Sequence, residues 1–503
     1  MYLNKKFLET NRDKLKDISI GNMEEMPERV IQFGEGNFLR AFVDWQFDQL
    51  NKKGLFSGKV VIVQPLHEGM INAINEQNGL YTLLMRGIKN GEQIEKTEII
   101  TSVSRGINPY SGWDEYLKCA SNPELRFMVS NTTEAGIAYV KTPLPKEECP
   151  ASFPAKATAF LYERFKKFNG SDEKGMIIIP CELIENNGTT LKRYILQHAA
   201  DWNLEKEFSE WIEENNFFYN TLVDRIVPGF PKDEIEAITK KLGYEDKIIV
   251  SAEIFHLWVI QGNEIAKNEL PFTDAGLNVV WTDDITPYRT LKVRILNGAH
   301  TMLTIPSYLA GNNTVRESIE DEVAGGFLKE GLFNEILPTL EFPYDKKLKY
   351  AEEIIERFLN PFIKHYLLSI TLNSISKFKV RVLPSLLRYF EINNIVPDVL
   401  TFSLAALITF YRGQCADGSE TKKDYPVNDD VEVIKFFNEL KNQNDCDKIV
   451  TSVLANKNFW DEDLNRIEGL KDGVAFYYKL IGRLGMKPAI SELLISKTAK
   501  HNK

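Results

Sequence analysis

The sequence has few metal-ligating or disulfide-forming residues for its length. Its 503 residues include five cysteines and six histidines. The cysteines, at positions 119, 149, 181, 415 and 446, show no CxxC spacing, and the histidines form no HxxxH or HxH pair. A disulfide framework and a zinc site are therefore not expected, and the chain should need no metal. Scattered thiols are typical of a protein in a reducing cytoplasm.

The chain also lacks an excess of positive charge and any apolar run long enough to cross a membrane. Its formal net charge of −10 argues against a general nucleic-acid binder. The longest candidate span, "VLTFSLAALITFY" at 399–411, is too short for a bilayer and predicts a buried helix. The N-terminus is charged and has no apolar signal core. We therefore predict a soluble, cytoplasmic, globular protein without a membrane or nucleic-acid partner.

The first half of the chain alternates short β-branched runs with helical patterns. Four runs predict buried strands: "RVIQFG" (29–34), "KVVIVQP" (59–65), "RFMVSNT" (126–132) and "MIIIP" (176–180). Strands that alternate with helices predict a parallel sheet covered by helices on both faces, with ligands at the carboxyl ends of the strands. We predict an α/β, Rossmann-type, dinucleotide-binding N-terminal domain over 20–280.

The second half has a different pattern, dominated by apolar residues at helical spacing. The predicted helical segments are 291–310, 346–359, 361–376, 379–391, 398–411 and 473–484. The clearest polar loop is 413–430. We predict a mainly α-helical C-terminal domain over 281–503.

A glycine-rich turn follows the first predicted strand. In "VIQFGEGNFLRAF", Gly34 and Gly36 precede a helix, so backbone N–H groups and the helix N-terminus can bind a pyrophosphate. Leu39 replaces the third glycine of the usual GxGxxG motif, so an ordinary strand-to-helix turn is the alternative. Gln64 ends the second strand, where it can bind a ribose hydroxyl but cannot repel a 2′-phosphate by charge. The prediction is NAD, with NADP not excluded.

The segment "LKVRILNGAHTML" (291–303) places polar groups within an oily helix. At about 100° per residue, His300 lies about 80° and Asn297 about 140° from Lys292, so the three share one arc. Two interpretations are open: a helix edge that faces water, or a half-buried lysine, amide and imidazole that form a proton-transfer site. Arg294 points elsewhere on the helical wheel and is predicted to be structural.

Several motifs in order resemble one family. "QFGEGNFLRAFVDWQ", "SNTTEAGI", "IIIPCELIENNG", "TLVDRIV", "WVIQG" and "KVRILNGAH" are similar to the polyol-specific long-chain dehydrogenases, the mannitol dehydrogenase group. The resemblance extends from about residue 28 to beyond 425. It implies a Rossmann-type domain followed by a mainly helical domain, with the active site in the cleft between them.

The resemblance also implies roles for individual residues. Lys292 would be the general acid/base, Asn297 would hold the developing alkoxide and His300 would fix the substrate oxygen. The cofactor-binding candidates are Phe33, Gly34, Gly36, Asn37, Phe38, Gln64, Thr132, Thr133 and Glu134.

Substrate-binding candidates follow from the same resemblance. Asn187 would contribute to the oxyanion site, although Cys181-Glu182-Leu183 departs from the family's usual C-D-N. Asp224 would bind a substrate hydroxyl, and the alternative is a surface pair with Arg225. Positive charge would recognise a substrate carboxylate through Lys364, His365, Lys377 and Arg381, or these side chains would simply be solvated.

The expected activity is metal-independent, nicotinamide-dependent and reversible reduction of a keto-uronate. Another keto-uronate epimer or a neutral ketose are alternative substrates. A dinucleotide-binding sensor without turnover is the alternative outside enzymes, but it does not explain why the lysine, asparagine and histidine are all present.

Overall fold

The computed structural model describes residues 1–133, 136–413 and 425–501, and the side chains of 500 and 501 are not described. Glu134 and most of the predicted polar loop at 413–430 lie outside the described residues. The chain divides into two compact units. Unit 1 comprises Met1–Gly87 and Gln93–Ile285, and unit 2 comprises Ile88–Glu92 and Thr286–Lys503.

The centre of unit 1 is a six-stranded, fully parallel sheet. In chain order its strands are Glu28–Phe33, Lys59–Val63, Val103–Ile107, Phe127–Ser130, Ile177–Pro180 and Phe217–Phe218. Their spatial order is third, second, first, fourth, fifth and sixth. This is the strand order of dinucleotide-binding folds, in which ligands bind where the order reverses, here beside the first strand. The predicted α/β Rossmann-type domain is confirmed.

Helices cover both faces of this sheet because both faces are apolar. Along the first strand, Val30 belongs to one buried cluster and its neighbour Ile31 to the other. Alternate residues of a strand point to opposite faces, so a continuous β-branched run fills two cores. The α-helices of unit 1 are Lys5–Asn11, Asn37–Leu39, Trp45–Lys52, Ile71–Glu76, Trp113–Cys119, Phe153–Lys167, Asn187–Asp201, Lys206–Glu214, Ile235–Leu242 and Glu264–Glu269.

Two smaller sheets complete unit 1. One contains Ser19–Ile20, Glu92–Ile100, Tyr81–Lys89 and Val250–Ala252 in that spatial order. The other contains Asn220–Asp224, Leu257–Gln261 and Val279–Thr282.

From Thr286 onward the described residues form mainly helices, as predicted for the second domain. The α-helices are Thr286–Leu291, Gly298–Ala310, Val315–Glu320, Glu322–Lys329, Tyr344–Phe358, Leu367–Ile370, Ser374–Arg381, Leu383–Asn393, Asp398–Arg412, Val431–Glu439, Cys446–Leu454, Lys457–Trp460, Leu470–Leu484 and Met486–His501. Two π-helical segments, Lys292–Asn297 and Glu330–Ile336, interrupt this series.

Two of the predicted helical segments have contrasting outcomes. Asp398–Arg412 is a helix whose residues from Val399 onward are all buried, so the predicted buried helix is confirmed. The predicted continuous helix at 361–376 is wrong, because helix Leu367–Ile370 ends before Asn373, which has a φ of 53°. In the part of the chain that the structure describes, no helix is long and apolar enough to span a membrane.

Candidate functional site

The glycine-rich turn of unit 1 has the backbone geometry of a phosphate-binding loop. Gly34 has a φ of +124°, and a Cβ there would lie 2.9 Å from the carbonyl oxygen of Asn131. Glycine is therefore required for both conformation and space. A Cβ on Gly36 would meet nothing within 4 Å, so the backbone at the start of the helix is open to a ligand. Such an open helix N-terminus fits a pyrophosphate.

A buried arginine that no sequence motif predicts holds this turn in place. The Arg40 Nε donates to the Glu35 carbonyl at 3.0 Å, and Nη2 donates to Asn37 Oδ1 at 2.8 Å. Nη1 donates to the carbonyl oxygen of Ile248. Burial lowers the pKa of Arg40, whose side chain is almost inaccessible to solvent. In the sequence, the position of the charged Arg40 between apolar Leu39 and Ala41 could have indicated that this arginine is buried.

The other predicted turn residues have different environments. Phe33 is fully buried, with its ring 4.8 Å from Phe153 and 5.9 Å from Tyr116. Its side chain is therefore part of the core, and its predicted role in cofactor binding stays a prediction. The Phe38 ring stacks on Phe42 at 5.0 Å, and Asn37 is the Arg40 partner described above.

At the end of the second strand, where the sequence predicted only Gln64 as a cofactor contact, the structure also places the carboxylate of Glu35. The Gln64 side chain is buried and its Nε2 donates to the carbonyl oxygens of Leu66 and His67 at 2.9 and 3.0 Å. Glu35, from the glycine-rich turn, lies beside it, since a Cβ on Gly69 would lie within 2.5 Å of both side chains. Burial raises the pKa of Glu35, and its Oε2 is buried with no hydrogen-bond partner among the described residues. Glu35 thus offers an acceptor near the end of the second strand.

Buried Glu182 fixes the loop after the fourth strand. Its carboxylate accepts hydrogen bonds from Ser130 Oγ at 3.0 Å and from both the N–H and Oγ1 of Thr132 at 2.9 Å. Burial raises the pKa of Glu182, whereas these hydrogen bonds lower it. The exposed Thr133 has a φ of +79°, which is rare for a β-branched residue. Strain of this kind is concentrated at functional sites.

Asn187 has a structural role that differs from the predicted one. Its Nδ2 donates to the carbonyl oxygens of Pro180 and Glu182 at 3.0 and 3.1 Å, and its Oδ1 accepts from the N–H groups of Gly188 and Thr221 at 2.9 Å. Both N–H groups and the oxygen of the Asn187 side-chain amide therefore already have hydrogen-bond partners within unit 1. This saturation argues against the predicted contact with the substrate.

Asp224 and Arg225 do not form the surface pair that was the alternative for this motif. Both residues are buried at the end of strand Asn220–Asp224. The Arg225 guanidinium donates to the Glu253 carbonyl from Nε at 3.0 Å and to the Ala41 carbonyl, and it lies over the Trp45 ring. Burial lowers the pKa of Arg225 to about 10. The predicted substrate role of Asp224 stays a prediction.

In unit 2, the segment that carries Lys292 and Asn297 is π-helical. We call Lys292–Asn297 the π turn. At its end the Gly298 N–H donates to the Val293 carbonyl, five residues earlier. In a π-helix the hydrogen bond joins residues i and i+5, so Asn297 lies about one turn above Lys292. The π turn therefore aligns the two residues more closely than the α-helical wheel predicted, and both are half-buried.

His300 continues the same polar face on helix Gly298–Ala310. It is buried, with its ring centroid 4.1 Å from that of Phe358 and 5.0 Å from that of His365. Burial lowers the pKa of His365, which keeps this imidazole neutral near pH 7. The structure thus brings together two imidazoles that are far apart in the sequence.

Two further cations lie on helix Ser374–Arg381, which we call the basic helix. Its C-terminal end lies against Gly298, the residue that directly follows the π turn, since a Cβ on Gly298 would lie 3.0 Å from the Arg381 carbonyl oxygen. Lys377 donates to the Ile370 carbonyl at 2.9 Å, and burial, with the nearby charge of Arg381, lowers its pKa. Burial also lowers the pKa of Arg381. Lys364 is exposed, and the structure gives it no defined contact with this cluster.

Arg294 makes hydrogen bonds within unit 2, and its predicted structural role stays a prediction. Its Nε donates to Ser385 Oγ at 2.7 Å and its Nη2 to Thr339 Oγ1 at 3.4 Å. Among the residues described, no group of three or more His, Cys, Asp or Glu side chains could hold a metal ion.

Comparisons with known proteins agree with this architecture. The model of the mannitol dehydrogenase Rossmann domain matches residues 28–274, and that of the mannitol dehydrogenase C-terminal domain matches residues 284–481. The chain is 47% identical over 473 residues to the altronate oxidoreductase of Bacillus subtilis (strain 168), covering 94% of this chain and 96% of the relative.

Two solved structures share the fold at lower sequence identity. A substrate-free D-sorbitol dehydrogenase superposes with a TM-score of 0.81 at 22% identity, covering 97% of this chain and 100% of that one. The ternary complex of Pseudomonas fluorescens mannitol 2-dehydrogenase with NAD and D-mannitol gives a TM-score of 0.68 at 20% identity, covering 98% and 99%. Because two family models together match most of the chain, this protein belongs to the mannitol dehydrogenase family.

Proposed function

We propose that this protein catalyses the reversible, NAD-dependent reduction of the keto-uronate D-tagaturonate to D-altronate. The main observation in favour of an anionic substrate such as a keto-uronate is the cationic basic helix beside the π turn. Among the described residues, the Arg381 guanidinium has no hydrogen bond and no ion pair, and burial alone lowers its pKa. A cation withdrawn from water without a counterion favours an anionic ligand. The altronate oxidoreductase name of the relative at 47% identity supports the same substrate.

The reaction gives one task to each of Lys292, Asn297 and His300. A bound nicotinamide cofactor would supply the hydride that adds to the carbonyl carbon of the substrate, and would itself be oxidised. Lys292 donates a proton to the carbonyl oxygen, so that a secondary alcohol forms. The Asn297 amide N–H stabilises the negative charge that develops on this oxygen, and His300 orients it. In the reverse direction Lys292 accepts the hydroxyl proton.

The cofactor side of the proposal depends on the glycine-rich turn and on Glu35. The open backbone at Gly36 would hold the pyrophosphate. The buried Oε2 of Glu35 can accept a hydrogen bond from a ribose hydroxyl, as an acid near the second strand does in NAD-binding folds. The same carboxylate would repel a 2′-phosphate. NAD is therefore favoured over NADP.

Initial rates of NADH oxidation with three substrates test the proposal. Tagaturonate, fructuronate and fructose are assayed side by side, and tagaturonate is repeated with NADPH. The expected result is the highest kcat/KM with tagaturonate and a lower value with NADPH. Fructuronate as the best substrate would identify a fructuronate reductase, and fructose as the best would identify a mannitol 2-dehydrogenase. No turnover of any substrate would favour a dinucleotide-binding sensor.

A further inference from the structure

Unit 2 contains a cavity that the proposed reaction does not use. Its volume is about 540 Å³, within the usual range for small-molecule sites. Leu291, Leu340 and Phe342 supply apolar walls, and Arg294, which belongs to the π turn, contributes a charged group. The residues predicted to be catalytic, Lys292, Asn297 and His300, are not part of its lining. This cavity is therefore distinct from the polar face that carries them.

The electrostatic state of Arg294 is unusual for a half-buried arginine. Its hydrogen-bond partners are two neutral hydroxyls, Ser385 Oγ and Thr339 Oγ1. No acidic side chain among the described residues lies close enough to pair with it, and burial alone lowers its pKa to about 10. The guanidinium is thus charged at pH 7 and has no counterion, a state that a bound anion would stabilise.

The other charged side chains of the cavity are one arginine and two glutamates that pair with it. Arg388 donates to Glu341 and to Glu391, each at 3.0 Å. These two carboxylates are largely exposed and share Arg388 as their cationic partner. Among the described charged residues of the lining, Arg294 is therefore the one without an oppositely charged partner.

We propose that this cavity binds a small organic carboxylate. The Arg294 Nη1 makes no hydrogen bond with any described residue, and Nη2 makes only the long one to Thr339, so this edge of the guanidinium can donate to both carboxylate oxygens. The apolar walls would surround the remainder of the ligand. Because Arg294 belongs to the π turn, the occupant would contact the segment that also carries Lys292 and Asn297.

Calorimetric titration of the full-length protein tests the site with butyrate as the probe. Butan-1-ol is the neutral control, and inorganic phosphate tests the other common oxyanion. Arg294→Met removes the charge. Thr290→Glu adds a carboxylate on the exposed wall, four residues before Arg294, where it can pair with the guanidinium. Arg316→Met is the matched control, because Arg316 pairs with Glu320 and does not line the cavity.

The expected result is butyrate binding that weakens about tenfold or more in both Arg294→Met and Thr290→Glu, as for loss of a charge-assisted hydrogen bond. Arg316→Met should bind within about twofold of the wild type, and butan-1-ol about tenfold or more weaker. Lys377→Met should also retain binding, which separates this site from the proposed substrate site. Wild-type affinity in both cavity variants, no butyrate binding at all, loss of binding in Lys377→Met, or tighter binding of phosphate would overturn the proposal.

Discussion

Removal of the Arg381 charge should selectively weaken the recognition of a uronate. The perturbation is Arg381→Met, which keeps most of the side-chain volume and removes the guanidinium. Lys377→Met is the companion change on the same helix, one turn earlier. Lys379→Met is the matched control, because Lys379 lies between them in sequence but pairs with Asp461 at 2.6 Å.

The expected magnitude follows from the partners of each cation. A charge-assisted hydrogen bond contributes about 1.5–3 kcal/mol, which corresponds to roughly 10- to 160-fold in kcat/KM. The Arg381 guanidinium has no counterion among the described residues, so its full charge is available to the substrate. Lys377 already donates to Ile370, and the charge of Asp429 partly offsets its own. We therefore expect a larger loss for Arg381→Met than for Lys377→Met.

Steady-state kinetics of the three variants with tagaturonate and fructose provide the assay. The Arg381 and Lys377 variants should lose kcat/KM for tagaturonate and change little with fructose, which has no carboxylate. The Lys379 variant should resemble the wild type with both substrates. Equal losses on both substrates would indicate general damage, and an unchanged preference in both variants would mean that the carboxylate binds elsewhere.

Three further predictions concern the catalytic residue, the cofactor turn and metal independence. Lys292→Ala should lower turnover by at least about 10², as for other general acid–base groups, while NADH affinity stays within a few-fold; near-normal turnover of the folded variant would remove Lys292 from the mechanism. Arg40→Met removes the clamp on Glu35 and Asn37, so the Kd for NADH in a fluorescence titration should rise about tenfold, and an unchanged Kd would refute the clamp. Dialysis against EDTA should leave activity intact, and a loss restored by zinc would contradict the lysine mechanism.

The parallel sheet could be predicted from sequence because its strands are buried on both faces. Continuous β-branched runs such as 59–63 have few other stable arrangements than a strand buried on both faces. Glycine is required at position 34 because φ is positive there and because a Cβ would lie too close to the Asn131 carbonyl oxygen. Apolar periodicity likewise identified helix Asp398–Arg412. These features depend on the pattern of apolar and polar residues that are neighbours in the sequence, so they can be predicted from the sequence alone.

The remaining features depend on contacts between distant residues. Periodicity at 3.6 residues per turn cannot show that 292–297 is π-helical, so the alignment of Lys292 with Asn297 was underestimated. Asn187 was predicted to face the substrate, but the carbonyl oxygens that saturate it come from the end of another strand and from its own loop. The Arg40 clamp and the carboxylate of Glu35 were missed because no motif describes their tertiary partners.

A competition experiment tests the central claim most directly. Tagaturonate, fructuronate and fructose are mixed at equal concentration with limiting NADH, and the products are quantified by NMR, so that their ratio reports the ratio of kcat/KM values. We predict that altronate accounts for nearly all of the NADH consumed, because the cationic basic helix favours a uronate and the related altronate oxidoreductase indicates which one. A mixture dominated by the hexitols formed from fructose would contradict the account.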